Sequence, residues 1–475
     1  MLSARQKILV DRSVGLPLAW LLNMAARILG QLLRRDHSVT AQNVRTIAIS
    51  KYVGMGSIIQ ATPLIRSLHC AFPEAAIIFV TGTSCRRLVE RLEHIDRIIT
   101  VDDGGLFALA RTTLRAIAQV MRARIDLYFD LEIYSSYASI MALMSLARNR
   151  IGFYRESAQH KKGIYTHLMY FNARNPIRYV YMQLGRAVGC EPNQPDRLGR
   201  IRVSDSDREE LAGKLASAGV ERGHYLVVNP NASDLMVERR WPTNRFAALI
   251  DGLLARHQLS VVLIGSPSER PYVASLVEQI SDPQGGLVVN MAGELSLGGL
   301  FALLEEARCI VTNDTGPMHM AWALEAPTVC LFGPVDPNHY GWSKSGVEVL
   351  YSRVYCSPCV HEIDRPPCGG DNVCMQRITV DRVAAAIDHI LTLSPPDSSR
   401  PIEREFFVDP RHGPLGLVIR ESIVDARLGG AAPQSAPHPE HELVGVVSPH
   451  STERLAESDT KPSDQHSRPD RADRL

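Results

Sequence analysis

Short apolar runs alternate with amphipathic stretches along most of this chain, and the alternation predicts strands separated by helices. Residues 46–50, 77–81, 98–101, 127–131 and 150–153 read as strands with helical runs between them. Near residues 192–207 the pattern turns polar and rich in Pro and Gly, then restarts with strands at 225–228, 261–265, 288–291, 309–312 and 328–332. Strands this apolar, alternating with helices, indicate parallel sheets covered on both faces. The expected fold class is therefore α/β, two doubly wound Rossmann-like domains, with the boundary falling in the polar stretch. A helix over 380–393, with Val383, Ala384, Ile387 and Leu391 on one face, closes the second of them.

The two ends depart from the alternation. Residues 14–33 are apolar for most of a helix, yet Asn23, Arg27, Gln31 and Arg34 fall on one stripe. A spanning helix would bury Arg27 at a cost of ~3 kcal/mol or more, which favours a helix lying in a membrane interface with its basic stripe toward the headgroups, or one packed on the protein's own surface. No small-residue cleavage site follows, so a cleavable signal peptide is not expected. From residue 394 onward Pro, Ser, Asp, Arg and His dominate, with short apolar islands at 415–419 and 443–447, and most of that tail is expected to be disordered. The predicted organisation is 1–43 as an amphipathic interface segment, 44–200 and 201–393 as the two domains, and 394–475 as the tail.

Composition narrows the partners. The chain has 475 residues, 45% of them hydrophobic, enough for two or three cores. Its net charge of +1 gives no general attraction to nucleic acid. Of nine cysteines, Cys70, Cys85, Cys190, Cys309 and Cys330 are scattered and mostly within apolar runs, as expected for reduced thiols in the cytoplasm.

The most specific chemistry lies at 309–334. A strand runs into Asn313-Asp314-Thr315-Gly316, and a helix opens with Pro317 at its first position, where a missing N–H costs nothing. A helix start of this kind, with the amides of Gly316, Met318 and His319, attracts a phosphate through its free N–H groups and the dipole. The next strand stops at Gly333-Pro334-Val335-Asp336-Pro337, a second loop at the same sheet edge. Taken together, Asp314-Thr315-Gly316-x-x-His319 and Gly333-Pro334-x-Asp336-Pro337 resemble the sugar-nucleotide site of glycosyltransferase family 9, the heptosyltransferases of bacterial lipopolysaccharide synthesis. The resemblance covers residues 44–393. It implies a GT-B fold with a central cleft, and places the donor diphosphate on the Asp314-Thr315-Gly316 amides with His319 beside it.

The first strand ends in Gly54-Met55-Gly56-Ser57, with Thr62-Pro63 following. A dinucleotide fold would need a third glycine where Ile59 stands and an acidic residue after the next strand, which reads Thr81-Gly82-Thr83, so a nicotinamide-dependent oxidoreductase is disfavoured. The run instead looks like the first motif of family 9, usually Gly-x-Gly-Asp before Thr-Pro, which makes Gly54, Gly56 and Thr62 the acceptor-side loop. The family's aspartate, its general base, is replaced here by Ser57. A lone serine cannot hold the acceptor's proton. Asp130 and Glu132 end a strand of the same sheet, and Glu132 is the candidate base in its place; both would serve equally as caps for the following helix. The departure at Ser57 also leaves open a catalytically impaired sugar-nucleotide-binding protein.

On the donor side, Asn229-Pro230-Asn231-Ala232-Ser233 followed by Arg239-Arg240 again resembles the family, with Asn231 and Ser233 in the loop and one arginine neutralising the leaving diphosphate. Glu269 is a candidate partner for a ribose. Glu325 stands at a helix end where the family usually has glycine, so a left-handed backbone there would cost ~1 to 2 kcal/mol. Finally, Cys356, Cys359, Cys368 and Cys374, with His361 nearby, have the count of a structural zinc site without the spacing of a standard finger; a thiol cluster or a labile disulfide fits as well.

These readings converge on an inverting glycosyltransferase needing no cofactor for catalysis. Its expected partners are a nucleotide-sugar donor such as ADP-heptose, a glycolipid or oligosaccharide acceptor, and a membrane surface met through residues 14–35. The expected location is the cytoplasm, peripheral on the inner face of the bacterial inner membrane.

Overall fold

Each predicted strand of the first half is present and joins one parallel sheet: β1 (Thr46–Ser50), β2 (Ala76–Gly82), β3 (Arg97–Val101), β4 (Leu127–Asp130), β5 (Asn149–Tyr154) and β6 (His167–Tyr170), in the order β3-β2-β1-β4-β5-β6. The second half repeats the plan with β7 (Tyr225–Asn229), β8 (Ser260–Leu263), β9 (Val288–Asn290), β10 (Cys309–Asn313), β11 (Thr328–Phe332) and β12 (Val347–Tyr351), ordered β12-β11-β10-β7-β8-β9. This computed structural model describes residues 9–393 except 34–35, 195, 233–235, 283–284, 343, 361–362, 364–365, 367 and 370. The tail from 394 lies outside the described residues.

β6 and β12 are additions to the sequence reading. Both are edge strands with partly exposed positions, so polar residues such as His167 and Glu348 interrupt the apolar run that marks the inner strands. In each sheet the first and fourth strands lie side by side, with Ser50 opposite Asp130 and Asn229 opposite Thr312. There the chain departs in opposite directions and leaves a crevice at the carboxyl ends, the usual ligand position of a doubly wound sheet.

Eight helices matter for the site: α1 (Leu16–Leu33), α2 (Met55–Gln60), α3 (Leu106–Arg122), α4 (Ser136–Met144), α5 (Asp205–Ser217), α6 (Leu297–Glu306), α7 (Gly316–Ala323) and α8 (Val380–Thr392). Strand alternation sorts the core. Ile47, Ile49 and Phe129 point into a cluster that continues through α2 and α7 to Val227, Ile310 and Phe332, so the inner faces of both sheets share one hydrophobic core. Leu226, Val228 and Val311 point the other way, into a separate cluster closed by α8. Ala48 and Tyr128 do the same in the first half, under α1, α3 and α4. The halves are tied further by Arg91, whose guanidinium grips the Asp207 carboxylate at 2.6 and 3.0 Å. Asp207 in turn closes a capping box with Ser204 at the start of α5.

The polar stripe of α1 divides: Asn23 is 3% exposed and its side-chain oxygen accepts the Gly163 N–H, whereas Arg27 and Gln31 are exposed. Arg34 lies outside the described residues. The helix also leaves Leu21, Met24, Ile28 and Leu32 exposed. The backbone at Glu325 is left-handed, at φ 59°, and its carboxylate lies 3.1 Å from Lys344 Nζ.

Candidate functional site

On the donor side, three loops are fixed by buried amides. Asn313, fully buried at the end of β10, donates through Nδ2 to the carbonyls of Pro230 and Asn231 at 3.0 and 3.1 Å, and its Oδ1 accepts the Trp241 N–H at 3.2 Å. Asn229 donates to the hydroxyls of Thr312 and Thr315 at 2.9 and 2.8 Å. The hydroxyl of Thr315 is therefore engaged below, and although Thr315 is the N-cap of α7 its side chain does not cap the helix. Asn231 is 3% exposed; its Nδ2 donates to the Ile264 carbonyl at 2.7 Å, while its Oδ1 has no partner among the described residues.

The two arginines part company. Arg239 brings Nη1 to 3.4 Å from the Asp314 carbonyl and 3.6 Å from its carboxylate, and its buried Nε has no partner among the described residues. Arg240, whose Nε is likewise buried without a partner among the described residues, lies over the Tyr272 ring at 4.2 Å and donates to the Ala232 carbonyl, so its guanidinium is held by the scaffold. Burial holds the Asp314 carboxyl above the usual carboxylate range, with Arg239 pulling it back. Glu269 takes the N–H and hydroxyl of Ser266 on one oxygen and closes a capping box. Ser233 lies outside the described residues.

On the acceptor side, Gly54 opens α2 at φ +88°, a left-handed conformation that favours glycine. Gly56 is required for a different reason: a Cβ there would stand 2.2 Å from the His319 ring. His319 is buried between Gly56, Gln60 and Trp322, with Nδ1 3.1 Å from Gln60 Nε2 and the Trp322 ring edge-on at 5.2 Å. It thus joins α7 to α2 across the two halves. Thr62 is another joint: its hydroxyl donates to the Ile59 carbonyl and accepts the Gly199 N–H at 2.7 Å.

The three acceptor-side candidates for proton transfer stand in unlike places. Asp130 is fully buried and closed off by Ser50, the Glu132 N–H and Tyr165. Glu132 is 8% exposed; Oε2 lies 2.7 Å from Lys51 Nζ and Oε1 accepts the Tyr52 N–H at 2.9 Å. Ser57 is half-buried and within hydrogen-bonding reach of Tyr181. Near Tyr181 stands Tyr340, a half-buried phenol that feels the charges of Asp314, Lys51 and Arg239 and so marks where the halves meet. The motif reading missed Lys51, Tyr181, Tyr340 and Lys161, whose ammonium donates to the Glu132 and Ile133 carbonyls. Only Lys51 had a signal, its place directly before the glycine loop.

Cys356, Cys359, Cys368 and Cys374 line one cavity of about 60 Å³ behind the donor loops, and all four thiols are free. Among the described residues no three metal-ligating side chains stand close enough to share an ion. His361 lies outside the described residues. The segment braces the site by hydrogen bonds: Asn372 Nδ2 donates to the carbonyls of Glu238 and Arg240, and the amides of Cys359 and Val360 to that of Pro334.

Two predictions follow from this geometry. Asn313→Leu leaves two carbonyls and an amide buried without partners, and should cost ~2 to 4 kcal/mol in denaturant unfolding; an unchanged midpoint would show the tie to be dispensable. Burial, aided by the Arg239 charge, pushes the His319 pKa down to about 3 from 6.5. The folded state thus binds fewer protons, and stability complete above pH ~6.5 is lost at ~1.4 kcal/mol per unit as pH falls toward 3. Between pH 7 and 5 the native chain should lose ~2 kcal/mol more than His319→Gln; parallel losses would place the acid sensitivity elsewhere.

Comparison with known proteins agrees with this architecture. The sequence profile of glycosyltransferase family 9 (heptosyltransferase) matches residues 114–368. Lipooligosaccharide heptosyltransferase 2 of Haemophilus influenzae is 31% identical over 293 residues, covering 60% of this chain and 82% of that protein. Among solved structures, the family 9 glycosyl transferase of Veillonella parvula superposes with a TM-score of 0.63 at 21% identity, over 74% of this chain and 99% of that one. ADP-heptose lipopolysaccharide heptosyltransferase II of Escherichia coli does so at 0.58 and 21%, over 73% and 98%. With its paired six-stranded sheets in the GT-B arrangement, the chain belongs to glycosyltransferase family 9 and is a glycosyltransferase of lipopolysaccharide biosynthesis.

Proposed function

We propose that the chain moves a heptose from ADP-heptose to a lipopolysaccharide-type acceptor at the cytoplasmic face of the inner membrane, with residues 201–393 taking the donor and 44–200 the acceptor. One observation carries the reading: Arg239, with an unpartnered Nε, stands against Asp314 at the uncapped start of α7. Positive charge and a helix N-terminus at one point suit a diphosphate, most of all as its charge grows on leaving. The nucleotide and sugar come from the name of the Escherichia coli relative, an ADP-heptose heptosyltransferase.

In this reading the acceptor hydroxyl attacks the anomeric carbon from the face opposite the diphosphate. The new C–O bond forms as the bond to the phosphate oxygen breaks, and configuration inverts. ADP leaves with its negative charge facing Arg239 and the first turn of α7, a field that fills the part a divalent cation plays in other transferases. The hydroxyl proton needs an acceptor that Ser57 cannot be. Asp130 is sealed, so Glu132, the one carboxylate of the three candidates with any exposure, takes the proton. Lys51, in contact with Glu132 and close enough to Tyr340 for its charge to be felt there, orients that carboxylate toward the cleft.

Two measurements test the two sides separately. Arg239→Ala should weaken ADP binding by calorimetry about tenfold or more, ~1.4 kcal/mol, whereas Arg240→Ala should lower stability with a smaller effect on ADP; equal ADP affinity in native protein and Arg239→Ala would remove the donor assignment. Glu132→Gln should retain ADP affinity while transfer from ADP-heptose falls ~100-fold or more, and full turnover in that variant would disprove the base.

A further inference from the structure

The outer layer of the first half has a face that the transfer reaction does not use. α1, α3 and α4 lie side by side over the outer cluster of that sheet. α1 presents Leu21, Met24, Ile28 and Leu32 outward, each more than half exposed. On α3, Phe107 at 82% exposure, Leu114 at 70% and Met121 at 42% repeat every seven residues on one stripe. Exposed arginines, Arg111, Arg115 and Arg122, are interleaved with them. Neither helix contains an acidic residue. Exposed apolar surface of this extent on a folded protein marks an interaction site.

We infer that α1 and α3 together form a monotopic docking face for an anionic phospholipid bilayer. Resting on the transferase reading, this face carries the acceptor half to its lipid-anchored substrate. Charge selects the occupant. A second copy meeting the same face symmetrically would set arginine against arginine, whereas apolar side chains among cations suit acyl chains beneath anionic headgroups. Residues Asp11–Leu33 are long and apolar enough to cross a membrane, but crossing would tear α1 from two anchors. Asp11 caps α4, accepting the N–H groups of Ser136 and Tyr137 at 3.0 and 2.8 Å, and Asn23 holds the Gly163 amide. Those anchors lead to the cleft. α4 follows the Asp130–Glu132 turn directly, and Gly163 follows Lys161, which grips the Glu132 and Ile133 carbonyls. The docking face and the acceptor loop thus form one rigid body.

The test is cosedimentation of the full chain with vesicles of phosphatidylethanolamine and phosphatidylglycerol (3:1), against vesicles of phosphatidylcholine, with ADP affinity measured in parallel. Native protein should sediment with the anionic vesicles and far less with the neutral ones. Leu21→Glu/Ile28→Glu/Leu32→Glu should lose at least tenfold in vesicle binding with ADP affinity unchanged. Arg111→Glu/Arg115→Glu should lose the preference for anionic lipid. Equal sedimentation of the native chain and the triple variant would overturn the proposal. So would a native dimer, indifferent to vesicles, that the triple variant converts to monomer. Loss of ADP binding by the native chain would count against the transferase reading alone, because vesicle binding does not depend on it.

Discussion

The carboxamide of Asn313 reaches both ways at the end of β10: two donors go to the loop after β7, and the acceptor holds the backbone at Trp241. Everything on the donor side follows from that buried tie. It brings the loop carrying Arg239 against Asp314, while the neighbouring Asn229 occupies the Thr315 hydroxyl and leaves the start of α7 without a side-chain cap. Buried amides of this kind are costly unless each polar atom is matched. Among the predicted donor residues that are described, Asn231 Oδ1, Arg239 Nε and Arg240 Nε are buried without a partner.

The acceptor side is organised by charge rather than by amides. Lys51 and Lys161 meet the Glu132 turn from two directions, one at the carboxylate and one at the main chain. A buried ion pair contributes little net stability, but losing one partner is expensive because the other stays buried. The pair therefore serves better as a geometric restraint than as a source of stability, and it fixes the turn that carries Glu132.

Much of this was legible in the chain. Inner strands announce themselves because both their faces are buried, and the glycine and Asp-Thr-Gly turns stand out because few residue types satisfy them. Edge strands β6 and β12 were hidden by their exposed polar positions. Tyr181 and Tyr340 were hidden because they reach the cleft from helices distant in sequence, which no local spacing encodes. Thr62 and His319 carry motif signals, yet their side chains join segments of the scaffold: a motif records that a residue type is needed, without saying which neighbour needs it. The wheel of α1 likewise grouped Asn23 with Arg27 correctly and left undetermined whether water or protein lay on that side.

One consequence concerns motion. Because Gly56 accommodates the His319 ring and the inner faces of both sheets pack into a continuous cluster, the two halves cannot swing apart like the covers of a book without peeling open their own interior. Any breathing that admits substrate must pivot at α2 and α7, with small angular travel.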